Sequence, residues 1–539
     1  MAASRDERVD FIVLGAGIAG VRAAIELARA GRVLVLSKGE LAESRAEWGH
    51  VGIAVTKGDD EEVHLRLHET LQAGDGLCNE EAARFLVNEG PRQIETLIGW
   101  GMRLERTGTK LAFTREGVRT QTRVLHAHGG STGEEVLRAL VAKARTLPGI
   151  KFRPHSFVPD LIADGHRIVG VSCLDETTST AKPILGDAVL VATEGFGQVY
   201  KSTTNPSLAT GDGSAAAYRA GALLSDMEFI HFHPTALHLK GAPRLPLPGE
   251  LRQMGAHLRN IDLERFMPRY HEDADRAPTN VLCRASIMEM QRCGSDFVYL
   301  DLTELDAECV KKRFPKVHAT CIKFNIDITE DLVPVRPAAH YAVGGIAVDL
   351  NGATTLPGLY AVGEAAANGV HGANRLADNS LLEGLVYGAL TATTMAERQS
   401  SPVAMPQPVA GRSPWNSSAP ARGGRNAKLP PPQKLDAEKL SSEVRHLMWE
   451  KVGIIRTGDQ LDEAVRRLQG ISAAEEPTTA SRPAWEARNL RDVAEVIARS
   501  ALARQESRGT HYRSDFPLKA ESQPALHSYV SKGAGVYFG

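Results

Sequence analysis

A strand, a glycine turn and a helix open the chain: VDFIVLGAGIAGVRAAIELARAGRVLVLSK runs from Val9 to Lys38. Gly15, Gly17 and Gly20 form G-x-G-x-x-G directly after an apolar strand and directly before an amphipathic helix, the context in which this short motif carries weight. The first glycine makes the turn, the second lets a pyrophosphate approach the backbone, and the third lets helix and strand pack closely. The unit predicts a parallel α/β sheet with a dinucleotide over the helix N-terminus. Its second strand ends in Ser37 and Lys38, not in the acidic residue that would hold an adenosine ribose.

A chain of 539 residues exceeds what one core usually supports, so two or three lobes are expected. A formal net charge of -2 gives no electrostatic footprint for nucleic acid. The six cysteines are scattered without a CxxC pair, which predicts a reducing compartment and no zinc or iron–sulfur site. The N-terminus has no apolar run of signal-peptide type, and no segment reaches the ~20 apolar residues of a membrane helix. A cytoplasmic protein with no membrane partner is the expectation.

From 60 to 105 the sequence is acidic and helix-patterned, predicting helices with a solvated face. Between about Ile150 and Val191, alternating segments (IKFRPHSFVPDLIAD, RIVGVSCLD, AVLVATEG) predict a small antiparallel sheet. Residues 398–434 are rich in Pro, Ser and Gly and read as a linker. From Asp436 the pattern turns helical again (EKLSSEVRHLMWEKVGIIR, DQLDEAVRRLQGI, WEARNLRDVAEVIARSALAR) and predicts a C-terminal bundle.

The second informative unit runs from Pro337 to Leu385, PAAHYAVGGIAVDLNGATTLPGLYAVGEAAANGVHGANRLADNSLLEGL. His340 leads into Gly344 and Gly345, then come a strand IAVDL and a second strand LYAVGE ending in Gly363 and Glu364. A small-residue loop carrying Arg375 follows, and then a helix start whose candidate caps are Asn379 and Ser380. A helix N-terminus aimed into such a loop suits an anion or a flavin carbonyl.

HGANR followed by NSLLEGL resembles the flavin end of the L-aspartate oxidases and, more distantly, the flavoprotein subunits of succinate dehydrogenase and fumarate reductase. The likeness recurs in VLVATEGFGQVY, TTNPSLATGDGSAAAYRAGA, FIHFHPTALHL, RFMPRYHEDADRAPTNVLCRAS and ESRGTHYRSDFP, so it covers nearly the whole chain. It implies an α/β fold: a Rossmann-like FAD-binding domain in two parts (1–226 and 341–397), an inserted α+β capping domain (227–340), and a C-terminal helical bundle (435–539). FAD is implied along Gly15, Ala16, Gly17, Ala19, Gly20, Ser37, Lys38, Ser44, Gly52, Ala192, Thr193, Asp212, Gly363, Glu364, Asn379, Ser380 and Leu381. Noncovalent attachment is implied because Arg45 falls where the succinate dehydrogenases carry their flavin-linked histidine. The catalytic set implied is His233, His340, Arg375, Glu116 and Arg252. In it His340 and Arg375 hold a substrate carboxylate, His233 falls on a substrate-binding histidine, and Glu116 pairs with a substrate ammonium.

Departures from the family pattern cluster in this pocket. Val118-Arg119 replaces a histidine, His231 a glutamine, Pro248 and Gly249 a Thr-Glu pair, and Asp378 a serine. Thr279 stands at the arginine of the Ala-Pro-Arg-Asp turn, thought to act as an acid/base group or as a clamp for the second carboxylate. Threonine does neither at neutral pH, which leaves Arg119 or Arg252 to compensate. The activity implied is oxidation of a small acidic α-amino acid by hydride transfer to FAD, L-aspartate giving iminosuccinate for NAD biosynthesis. Electrons then pass to O2 or another acceptor. Alternatives are a paralogue with a changed substrate in specialised metabolism, a fumarate-reductase-type enzyme disfavoured by the missing arginine, and a flavin-holding protein without turnover.

Overall fold

The computed structural model describes residues 7–41, 52–56, 60–114, 124–127, 131–175, 178–397, 436–474, 481–520 and 524–539. Ser44, Arg45, Glu116 and Arg119 lie outside the described residues, as does the linker at 398–434.

Five parallel strands form the central sheet, in the order Leu359–Ala361, Ala188–Val191, Phe11–Leu14, Val33–Leu36, Ile150–Arg153. Phe11–Leu14, Val33–Leu36 and Ala188–Val191 are buried at every position, because helices cover both faces, and so read as unbroken apolar runs. On one face the helix Ile18–Leu27 packs against the long helix Ser380–Glu397. A Cβ on Gly388 would lie 2.8 Å from the Ala19 carbonyl oxygen, so the glycine sets how closely the two helices cross. The segment IKFR corrects the sequence reading. It joins the parallel sheet beside Val33–Leu36, AVLV (Ala188–Val191) likewise joins that sheet beside Phe11–Leu14, and the antiparallel pairs are made by Phe157–Asp164, Arg167–Asp175 and Thr180–Leu185. Both strand types show the same short alternation, and pairing partners lie far away in sequence.

A second sheet is antiparallel, in the order Ile230–Leu237, Val333–Ala342, Val298–Asp301, His257–Arg259, and carries the helix Thr279–Cys293. Its core is separate and includes Leu237, Leu258, Leu282, Leu300, Val333 and Val335. The pair Ile230–Leu237 and Val333–Ala342 bridges the two bodies, since Ile230, Ala339 and Ala342 belong to the central core.

The helices Ala437–Lys451, Gly458–Ala474 and Arg482–Ala503 pack on one another and into that central core. The C-terminal region is not helical throughout. Ser528–Val530 and Tyr537–Phe538 extend a mixed sheet through Leu224–Ser225, and that sheet also holds Gly345–Ala347 and Ala366–Ala367. Strands of two and three residues are too short for periodicity to reveal.

Buried charges lock this junction. Arg504 donates from Nε to Glu228 at 2.6 Å and from Nη1 to Glu506 at 3.0 Å, with Arg504 and Glu228 both fully buried. Asp226, at the end of the Leu224–Ser225 strand, accepts from the Ser528 amide at 3.1 Å and sits 2.6 Å from His527 Nδ1. The Asp226 charge holds the His527 pKa above its ordinary value. Burial pushes Asp226 up, but His527 and Arg504 outweigh it and keep the carboxyl below its ordinary range. The histidine contribution to stability is therefore complete below about pH 6.5 and is lost as pH rises through the raised folded pKa. The aspartate contribution is lost only in acid, as pH falls through the depressed value. His527→Leu should melt well below the wild type at about pH 6, and the gap should narrow by about pH 9. Melting curves that stay equally far apart at both values would exclude a charge contribution from the pair.

Candidate active site

Where the first strand ends, the chain turns through Gly15, which has φ +109, and enters the helix Ile18–Leu27 with Gly17 at its N-cap and no side chain capping it. A Cβ on Gly15 would stand 2.2 Å from the Ala192 carbonyl oxygen, and one on Gly20 would stand 2.0 Å from the Gly15 carbonyl oxygen. At Gly17 a Cβ would meet nothing within 4 Å. The turn is thus pressed from below and open above, with uncapped helix N–H groups facing the opening.

The opening is one end of a long cleft. Gly15, Ala16, Gly17, Ala19, Ser37, Lys38, Ala192, Thr193 and Asp212 line it, with Gly363, Glu364, Ser380 and Leu381 further along. Lys38 Nζ lies 2.7 Å from Asp212, 2.7 Å from the Thr210 hydroxyl and 3.0 Å from Glu486, so its charge is balanced by two carboxylates. Glu40, four residues past Leu36 at the strand end, also lines the cleft and lies 2.8 Å from His155 Nε2. Three residues of the predicted set are elsewhere. Gly20 lies beneath the turn, and a Cβ on Gly52 would meet Val124 at 2.1 Å. Asn379 is fully buried, accepting from Arg66 at 3.1 Å and donating to the Thr70 hydroxyl at 3.2 Å. The Ser380 hydroxyl, at the first residue of the helix Ser380–Glu397, accepts from Arg375 Nε.

A second cavity opens off the cleft and shares His340, Arg375 and Ala377 with it. His231, His233, Arg252, Thr279 and Asn280 also line it. The imidazoles of His233 and His340 are 5.2 Å apart, centre to centre. His233 Nδ1 accepts from the Thr235 amide at 3.3 Å, so the neutral ring carries its proton on Nε2. The Thr204 hydroxyl, 2.7 Å from His340 Nδ1, fixes the other ring. Arg375, 5% exposed, lies with Cζ 4.1 Å over the face of Tyr341. Tyr341 donates to Glu383 at 3.1 Å, and the same buried carboxylate accepts from Asn368 at 2.7 Å and lies 2.9 Å from His371. Burial raises the Glu383 pKa, but the His371 charge and these hydrogen bonds carry it below the ordinary range, so the group behind Tyr341 is an anion.

Sequence reading missed Tyr341 and Glu383, and it also missed the wall formed by His68, Glu69 and Gln72 of the helix Asp60–Ala73. That helix is not solvated all round: Arg66 and Glu69 are buried. Their spacing of three residues puts them on one face, but charged residues on an acidic helix give no sign of burial.

The family model described as FAD binding domain matches residues 10–381, and that for the fumarate reductase flavoprotein C-term matches 441–536. L-aspartate oxidase of Streptomyces coelicolor is 40% identical, over 97% of this chain and 91% of its own. That of Pseudomonas aeruginosa is 37% identical, over 94% and 95%. Among solved structures, quinol fumarate reductase FrdA of E. coli superposes with a TM-score of 0.86 at 26% identity, covering 99% of this chain and 97% of its own. Sdh1 of Mycobacterium smegmatis gives 0.82 at 30% identity, covering 99% and 94%. The open glycine turn, the uncapped helix end and the long cleft fit the dinucleotide, and FAD is the cofactor.

Gly17 and Gly15 should separate binding from folding. Gly17→Ala meets no neighbour and keeps an ordinary φ of -74, so the apoprotein should melt at or slightly above the wild-type temperature. It should nevertheless purify without yellow colour, because the methyl group fills the pyrophosphate space. Gly15→Ala should fail to fold. A yellow Gly17→Ala protein with wild-type FAD content would refute the placement.

Proposed function

Because this chain belongs to the L-aspartate oxidase family, we propose that it oxidises L-aspartate, or a close acidic α-amino acid, to the corresponding imine. The observation that carries the reading is the junction between the two cavities. His340 and Arg375 border both the cofactor cleft and the second cavity, so a molecule they hold lies against the flavin end of the cleft. FAD, when bound, supplies the two-electron acceptor, and O2 or another acceptor reoxidises it. For L-aspartate the product is iminosuccinate, which feeds NAD biosynthesis.

The chain's own groups bind and orient. Arg375 offers a planar guanidinium to the α-carboxylate, pre-positioned by the Tyr341 face and the Ser380 hydroxyl. His233 offers its Nε2 proton to a carboxylate oxygen. His340, its ring fixed beside the junction by the Thr204 hydroxyl, joins Arg375 in holding a substrate carboxylate. Outside the described residues, Glu116 completes the set as partner of the substrate ammonium. FAD is noncovalent in this reading, so acid precipitation should release all the yellow colour. All six cysteines are free thiols, which supports a reducing compartment, and we place the protein in the cytoplasm. Among the described residues no helix is long and apolar enough to cross a membrane.

Anaerobic mixing of the yellow protein with L-aspartate should bleach the flavin absorbance, and succinate should not. Arg375→Leu should retain FAD and be reduced roughly 100-fold more slowly, the loss of two charge-assisted hydrogen bonds. Wild-type reduction rates in that variant would remove Arg375 from the site. A wild-type flavin that dithionite reduces and no acidic amino acid does would point to the paralogue with a changed substrate.

A further inference from the structure

Two arginines and a histidine meet where Ile230–Leu237, the edge strand of the antiparallel sheet, comes to its end. Arg336, on the strand Val333–Ala342, stands opposite Ala236. His238 continues the same face two residues on, its amide bonded to the Pro334 carbonyl at 2.9 Å. Arg244 folds back from the following loop: Nη1 donates to the Leu237 carbonyl at 3.2 Å and lies 2.6 Å from His238 Nδ1. An arginine only donates, so Nδ1 is the acceptor and the neutral ring presents its proton on Nε2.

Little negative charge answers these groups. Among the described residues Arg244 has no carboxylate within ion-pair distance, and Arg336 has only Asp296, at 3.8 Å, whose side chain is 85% exposed. The Arg336 guanidinium makes no hydrogen bond among the described residues, and its Nε is buried without an acceptor. Burial, with Arg244 and Arg336 beside it, draws the His238 pKa down to about 4 against the smaller pull of Asp296. Aromatic rings back the cluster. Arg336 Cζ lies 4.8 Å from the centre of the Trp449 ring, and Phe297 stacks on His238 with centroids 6.0 Å and planes 26° apart. A guanidinium laid over a ring still presents its N–H groups in its own plane. His238, Arg244 and Arg336 are each partly exposed, so a solute reaches them. None of the three lines the cofactor cleft or the second cavity.

We propose that Arg244, Arg336 and the Nε2 proton of His238 form a binding site for a phosphoryl dianion at this corner of the antiparallel sheet. Two guanidinium forks and an imidazole N–H offer more donors than the two coplanar oxygens of a carboxylate accept, whereas the three terminal oxygens of a phosphoryl group match three residues converging from different directions. The proposal does not rest on the oxidase reading.

The test is calorimetric titration of the holoenzyme, its cofactor site filled, with sodium phosphate at fixed ionic strength, and with acetate in the same buffer for comparison. Phosphate should bind saturably and at least about 10-fold more tightly than acetate, the worth of one further charge-assisted hydrogen bond. Arg336→Leu and Arg244→Leu should each weaken phosphate about 10-fold, and lysine at either position should keep part of the affinity. FAD absorbance in each variant reports folding. Asp296→Asn is the second arm, at a position too exposed for folding to depend on it. Removing that acid should tighten phosphate about two- to fivefold, the range of a surface ion pair. Glycerol 3-phosphate in the same titration distinguishes the sources of the group: an ester bound as tightly as phosphate assigns the site to a phosphorylated metabolite, and a weaker one to the free ion. Acetate binding as tightly as phosphate overturns the proposal, as does a phosphate Kd left unchanged by Asp296→Asn or by a folded Arg336→Leu or Arg244→Leu protein.

Discussion

The contact between Gly15 and Ala192 is the constraint from which the site is built. Adjacent parallel strands run in register from Phe11 with Ala188 to Leu14 with Val191, and at their carboxyl ends the turn passes so close to the neighbouring strand that no Cβ fits between them. That closeness places the N-terminus of the helix Ile18–Leu27 at the mouth of the sheet, where its unpaired N–H groups are held in a fixed direction. The strand Leu359–Ala361 pairs on the far side of Ala188–Val191 and delivers Gly363 and Glu364 to the same mouth. The two halves of the cofactor cleft therefore come from segments about 350 residues apart, joined by one strand between them.

The catalytic side of the cleft depends on the pair of long strands that spans both cores. Their register slips between His231 and Phe232 and again between His233 and Ala236. Irregularities of this kind re-aim side chains, and here they flank the histidine that faces the second cavity. His340 comes from the partner strand Val333–Ala342. Arg375 comes from neither strand, and it is held by Tyr341, itself next to His340, and by the first residue of the helix Ser380–Glu397. Cofactor end and substrate end thus share rigid elements, which is what orientation within a fraction of an ångström requires.

Large buried cations tie the C-terminal region to this frame. Arg456 donates to the Glu228 carbonyl at 2.8 Å and lies 2.7 Å from His511 Nδ1, while Arg513 donates to the carbonyls of Ala501, Leu502 and Arg504. Burial, with Arg456, Arg504 and Arg513 around it, holds the His511 pKa well below its ordinary value, so the ring is a neutral acceptor. Buried networks of this kind are cooperative in a low dielectric, and in this one Arg456 Nη2 is a buried donor that meets no acceptor among the described residues. They also explain why the last residues of the chain form strands next to Leu224–Ser225 and are not a loose tail.

Gly15, Gly17 and Gly20 after an apolar strand were enough to read the cofactor class, because turn geometry and helix polarity act over a few residues. The run from His371 to Leu385 was enough to read the family, and the helical periods of the last hundred residues their bundle. Tertiary structure alone decided that Ile150–Arg153 joins the parallel sheet, that Asn379 turns to Arg66 and Thr70, and that Glu383 stands behind Tyr341. It also decided that Arg252 is buried with its guanidinium donating to the Thr235 hydroxyl. Each of these is a contact between residues distant in the chain, and a local pattern records a side chain's chemistry but not what it will face.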